Sequence, residues 1–178
     1  LSNSNILTAR VEGCRAYREQ GTPSGDAYKN RNTPHLFRED AQPRGPYVGV
    51  PAVVSETRRY YTVQHLTPDI IAGSKVYVID DPDGLLFGLI SSSMFITWQK
   101  AIGGRLKSDL NFANTLTWNT FPVPELEDTA RLAIIAAGKM VLDARARHPE
   151  RSLADAYNPT SMDSTLVKAH DALDLEVD

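Results

Sequence analysis

The run Leu106-Lys107-Ser108-Asp109-Leu110-Asn111-Phe112 carries, at every second position, a side chain that only donates hydrogen bonds, one that only accepts them and one that does both. Leu106, Ser108, Leu110 and Phe112 alternate with Lys107, Asp109 and Asn111, which is the period of a half-exposed strand. A strand rises ~3.3 Å per residue, so the polar set would face outward in a row with neighbours about 6 to 7 Å apart. Such a row suits recognition of a partner's polar groups and pairs no nucleophile with a base. Its plainest alternative is a solvated strand edge with an incidental ion pair.

Elsewhere the residue types that carry catalysis or hold metals stand apart. His35, His65, His148 and His170 are scattered, with no neighbouring Cys and no pair at helical ligand spacing, so no zinc site is expected. Asp80, Asp81 and Asp83 look like a metal cluster, but Pro82 and Gly84 make a turn the simpler account. Ser91-Ser92-Ser93 lacks the glycines of a nucleophile elbow and reads as a helix start. Gly103-Gly104-Arg105 follows a helical pattern, so it reads as a helix stop rather than a phosphate cradle. Cys14, the single cysteine, excludes an internal disulfide, fits a reducing cytoplasm and is expected as a small buried residue. No catalytic, metal or cofactor-binding residue is assigned.

These residues must be positioned by the elements around them. Ile6 to Arg18 reads as a helix, and residues 20 to 46, rich in Pro and Gly, as a long surface loop. Tyr47 to Val54, Arg59 to Gln64 and Lys75 to Ile79 are β-branched or aromatic runs that read as strands. Leu85 to Ile102 reads as two helices broken near Ser91 to Ser93, with Met94, Phe95, Ile96 and Trp98 as core rather than a stacking platform. Phe121-Pro122-Val123-Pro124 is an extended connector. Beyond it, Leu126 to Arg147 should form the longest helix, followed by shorter ones over Leu153 to Tyr157 and Ser164 to Leu175. The expected fold is α+β: a mixed-sheet domain with packed helices over residues 1 to 122, then a helical segment over 123 to 178.

Composition allows one good core, with 42% apolar and 23% charged residues in 178. The longest apolar runs fall far short of the roughly 20 residues that span a bilayer. The opening Leu1-Ser2-Asn3-Ser4-Asn5 has neither an initiator Met nor a signal-peptide pattern, and suggests a piece of a longer protein. The net charge of −3 hides an asymmetry: residues 1 to 124 hold 13 Lys and Arg against 11 Asp and Glu, residues 125 to 178 only 6 against 11. A slight positive excess in the first part is weak support for a phosphate-facing surface.

Four blocks, in order, resemble the C-terminal half of the single-chain type IIL restriction-modification enzymes, which fuse a nuclease, an adenine-N6 methyltransferase and a target-recognition domain. They are Phe87 to Met94 with Trp98, Gly104 to Asp109, Trp118 to Pro124, and Leu153 to Pro159 followed by Lys168 to Asp174. The resemblance implies sequence-specific binding of double-stranded DNA that delivers a target adenine to a catalytic site elsewhere in the polypeptide. It also implies that S-adenosylmethionine binds in a methyltransferase core absent from this stretch, since Asn119-Thr120-Phe121-Pro122 lacks the second Pro and the Tyr of that enzyme's motif. The partners implied are DNA and the methyltransferase core, with no membrane and a cytoplasmic location.

By that resemblance, Lys107, Asp109 and Asn111 read base edges in the major groove. Lys107 would donate to guanine O6 and N7, Asp109 would accept from the cytosine amino group, and Asn111 would serve an adjacent pair. Ser74 and Lys75 are further base-reading candidates, although a one-residue gap would exchange them with Gly73 or Val76. Arg105, Arg58 and Arg59 are candidate phosphate contacts, because guanidinium forks suit phosphate oxygens. Lys29, Arg31, Arg38 and Arg44 of the long loop read as solvated charge. A protein-interaction module whose exposed strand docks another subunit is the alternative.

Overall fold

The structure is a computed structural model that describes residues 4–37 and 41–178; Leu1, Ser2, Asn3 and Arg38 of the segments discussed above lie outside them. The chain divides into two compact units, residues 1–41 and 42–178.

In the first unit, α1 (Asn5–Glu19) begins at Ser4, whose hydroxyl accepts from the Leu7 amide at 3.4 Å. A second helix, α2 (Asp26–Lys29), interrupts what the sequence presents as one long loop. The Arg18 guanidinium ties the unit together by donating to the Asn30 and Thr33 carbonyls at 2.8 Å each and to Leu36 O at 3.1 Å. No residue of α1 is buried, so Cys14 is only partly covered, not the core residue its type suggested.

The second unit holds, among the described residues, two three-stranded sheets in which every pairing is antiparallel. Strand β1 (Tyr47–Pro51) lies between β3 (Gln64–Leu66) and β4 (Val76–Asp80). Strand β2 (Val53–Val54) pairs with β6 (Asp109–Asn111), which pairs with β5 (Gly104–Leu106). The run Tyr47 to Val54 is therefore not one strand. It changes sheets at Ala52, whose N–H donates to Lys75 O and whose carbonyl accepts from the Phe112 amide, both at 2.8 Å. The preceding Pro51 has no N–H to offer a ladder, which favours a break there.

Arg59 to Gln64 also departs from expectation, because only Gln64 is in a strand. Tyr60, Tyr61 and Val63 are fully buried, yet Val63 N–H donates to Tyr61 O at 3.0 Å in a tight turn. Their aromatic and branched character reports burial rather than sheet pairing.

Helices α3 (Leu85–Ser91) and α4 (Ser93–Ile102) meet at Ser92, whose hydroxyl caps α4 by accepting from Phe95 N–H at 3.3 Å. The neighbouring aspartates cap α3: Asp81 accepts from the Leu86 and Phe87 amides at 3.1 and 2.9 Å, and Asp83 accepts from Leu85 N–H and from Arg131. Phe95 and Ile96 are buried and Met94 and Trp98 pack against the same core, as their helical spacing indicated. A π-helical turn over Asn114–Trp118, not foreseen from the sequence, leads to the Phe121 to Pro124 connector.

The last three helices are α5 (Asp128–Ala146), α6 (Leu153–Ala156) and α7 (Ser164–Val177). They share one apolar core with the sheets, since Ile134, Val141, Leu166 and Leu173 join Val48, Phe87, Leu110 and Phe112. Gly88 and Gly138 let α3 and α5 cross almost backbone to backbone: a Cβ on Gly88 would lie 2.8 Å from Ile134 Cγ2, and one on Gly138 3.2 Å from Gly88 Cα. No single described helix is long and apolar enough to cross a membrane.

Candidate nucleic-acid interface

Leu106 to Phe112 is a hairpin, not the continuous strand its alternation suggested. Leu106 pairs with Asp109, which leaves Lys107 and Ser108 as a two-residue turn. Lys107 has φ of 57°, while Ser108 is not among the positive-φ residues. A positive φ at the first turn position alone is the pattern of a type II′ turn, which normally asks for glycine there. Lysine in this position costs about 1 to 2 kcal/mol of backbone strain. Lys107, Asp109 and Asn111 thus do not form one even row: Lys107 stands at the tip, and Asp109 and Asn111 follow on one face of β6.

That face is set by Leu110, which is fully buried between them on the opposite side. Among the described residues, neither Lys107 nor Asp109 makes a side-chain hydrogen bond or ion pair, with each other or with anything else. The incidental ion pair that would have explained them as an inert edge is not formed. A donor-only ammonium at the turn and an acceptor-only carboxylate at the start of β6 are left without a partner among the described residues.

The hairpin is held through its backbone. Gln99, fully buried on α4, donates from Nε2 to the Asn111 carbonyl at 3.2 Å, and the Phe112 amide is bonded to Ala52. Arg105 donates to the Ser108 carbonyl at 3.0 Å and pairs with Glu56 at 3.4 Å. Gly103 makes the Gln99 contact feasible, because a Cβ there would lie 1.9 Å from Gln99 Nε2. Neither the buried glutamine nor the role of Ala52 is visible in the sequence, since both act by touching backbone.

Ser74 and Lys75 form the exposed turn that enters β4. Ala52 brings them towards the hairpin: its two backbone bonds link Lys75 on one side and Phe112 on the other. The packing of Tyr77 on Phe112, with ring centroids 5.0 Å apart, ties the two sheets at the same place. Arg58 and Arg59 are not gathered there. Arg58 donates to Ala154 O at 2.9 Å, and Arg59 faces Asp171 at 3.4 Å, so both guanidinium groups are directed at the C-terminal helices.

Comparison with known proteins places the chain in a family. Residues 1–125 match the family model for the MmeI target recognition domain, and residues 126–178 match that for the MmeI C-terminal domain. The chain belongs to the MmeI target-recognition family. DNA methyltransferase A of Bacillus subtilis (strain 168) is 34% identical to this MmeI-family chain over 174 residues, 98% of it, but only 20% of the relative. The solved structure of the type IIL restriction-modification enzyme MmeI in complex with DNA superposes with a TM-score of 0.88 at 32% identity, covering 97% of this chain and 23% of that one. The chain spans about one fifth of the length of the curated relative it matches.

Proposed function

We propose that the chain recognises a specific sequence in double-stranded DNA as the specificity portion of a restriction-modification adenine methyltransferase. The observation that carries this reading is the β5–β6 hairpin, with Lys107 in its turn and Asp109 at the start of β6, both unpartnered among the described residues. A hairpin fits the major groove, where a lysine selects guanine O6 and N7 and a carboxylate selects an exocyclic amino group. Asp109 near phosphates would be repelled, so a base contact is the use that tolerates it. Asn111, Ser74 and Lys75 would read neighbouring positions.

Arg105 would hold phosphate with donors left over from its contacts to Ser108 and Glu56. Arg58 and Arg59 would reach phosphate only by giving up their present partners, and serve better as struts to the helices. Residues 1 to 122 would then carry recognition, and 123 to 178 would brace it. Catalysis and S-adenosylmethionine binding would reside in a methyltransferase core outside this chain, which the family names and the one-fifth coverage of DNA methyltransferase A support.

The test is the sequence preference of the intact polypeptide across a randomised duplex library, beside a Lys107/Asp109 double variant. A preference that changes at one base pair supports base reading. An unchanged preference overturns it, and binding without sequence preference or salt dependence favours a protein-docking module instead.

A further inference from the structure

The outward face of the β2–β6–β5 sheet also carries two aliphatic side chains that the core does not use. The register sets Leu106 directly opposite Asp109, and Val53 directly opposite Asn111. Directly opposed residues in an antiparallel pair share a face. Leu110 and Val54, at the intervening positions, turn into the core, while Leu106 is 56% and Val53 38% exposed. The polar strand β6 is thus flanked on both sides by apolar groups, each about 5 Å from it.

A single exposed leucine needs no explanation. Leu106 differs because it shares its face and its cross-strand pair with Asp109 and directly precedes the turn that lifts Lys107. Whatever Asp109 meets, Leu106 meets beside it. The apolar group that a duplex presents in its major groove, next to the amino and carbonyl edges, is the C5 methyl of a pyrimidine. Thymine carries it always and cytosine after C5 methylation. Val53 lies farther from the tip and is better covered, so Leu106 reaches first.

We propose that Leu106 is a specificity-determining residue that packs on a pyrimidine C5 methyl in the base pair adjoining the one read by Lys107 and Asp109. The proposal rests on the base-reading assignment of the hairpin, and its test separates the two.

In the intact polypeptide, wild type, Leu106→Ala and Leu106→Met are measured on the preferred duplex. Each thymine is replaced in turn by deoxyuridine, and each cytosine in turn by 5-methylcytosine. For a thymine contact, wild type loses about fourfold in affinity on deoxyuridine substitution at one position, the worth of one buried methyl group. Leu106→Ala loses a similar factor on thymine and is indifferent to deoxyuridine at that position alone, and Leu106→Met keeps the discrimination. For a cytosine contact, 5-methylcytosine at one position strengthens binding by wild type but not by Leu106→Ala. Indifference of wild type to both replacements everywhere, or equal methyl sensitivity in Leu106→Ala, overturns the proposal. Failure of the base-reading assignment shows differently, as an unchanged preference in the Lys107/Asp109 variant.

Discussion

The Tyr157 hydroxyl lies 2.7 Å from Nε2 of the fully buried His170. Arg145 Nε, which can only donate, approaches the same hydroxyl at 2.8 Å. Tyr157 therefore accepts from Arg145 and shares a hydrogen bond with His170 Nε2. Tyr60 stacks on the imidazole with ring centroids 3.8 Å apart, and Arg145 also donates to Val63 O at 2.7 Å. This network fastens the irregular segment 58–63 to α5 and α7.

The network predicts a pH-dependent stability. Burial, aided by the nearby Arg145 charge, pushes the His170 pKa from 6.5 down to about 3. As pH falls below 6.5 the unfolded chain takes up a proton that the folded one refuses, so stability falls by ~1.4 kcal/mol per unit down to about pH 3. Between pH 7 and 5 the loss from this group is about 2 kcal/mol. Urea unfolding at pH 5, 6 and 7 should show that slope in wild type and a correspondingly flatter one in His170→Gln. Equal slopes would mean that His170 is not held neutral.

Lys107→Gly should stabilise the fold by about 0.5 to 1 kcal/mol, because relief of ~1 to 2 kcal/mol of positive-φ strain exceeds the extra unfolded-state entropy of glycine. The same change removes the tip ammonium and should erase discrimination at one base pair. A raised thermal midpoint with lost discrimination is the expected pair of readings; a lowered midpoint would contradict the turn assignment.

Gly103→Ala should destabilise by about 1 to 3 kcal/mol, as overpacking does. Its Cβ would meet Gln99 Nε2 at 1.9 Å and Gln99 O at 2.5 Å, which forces the buried amide off the Asn111 carbonyl. Amide exchange at residues 109–111 should quicken along with the loss of global stability. A variant as stable as wild type would show that Gln99 does not anchor the hairpin.

Arg105→Ala should weaken binding to every duplex and lower the slope of log affinity against log salt by about 1. An unchanged salt slope, with relaxed preference at the Lys107 pair, would instead make Arg105 purely a brace for the Ser108 carbonyl.

What the sequence made legible follows from which signals are local. The serine run, the Gly103-Gly104 stop, the Pro boundaries and 3.6-residue spacing placed α3, α4 and α5 to within two residues, because these signals are local, whereas the caps that Asp81 and Asp83 supply to α3 were read only as a turn. The hairpin was misread because the positive-φ first turn position holds Lys107 rather than Gly, Asn or Asp, and the two-residue turn reverses the chain without disturbing the alternation. Leu106 was consequently expected to face inward. The break at Ala52 and the non-strand run through Tyr60 and Tyr61 were hidden for another reason: both depend on partners more than 20 residues away, Lys75 and Phe112 for the first and His170 for the second.

The β6 strand is fixed by contacts to its main chain, from Gln99 to Asn111 O, from Ala52 to the Phe112 amide and from Arg105 to Ser108 O, with Leu110 as its anchor in the core. None of these fixings passes through the outward side chains of Asp109 and Asn111. Those two positions are therefore open to exchange at little thermodynamic penalty, and a lineage can wander from one target sequence to another through single substitutions without first accumulating compensating ones.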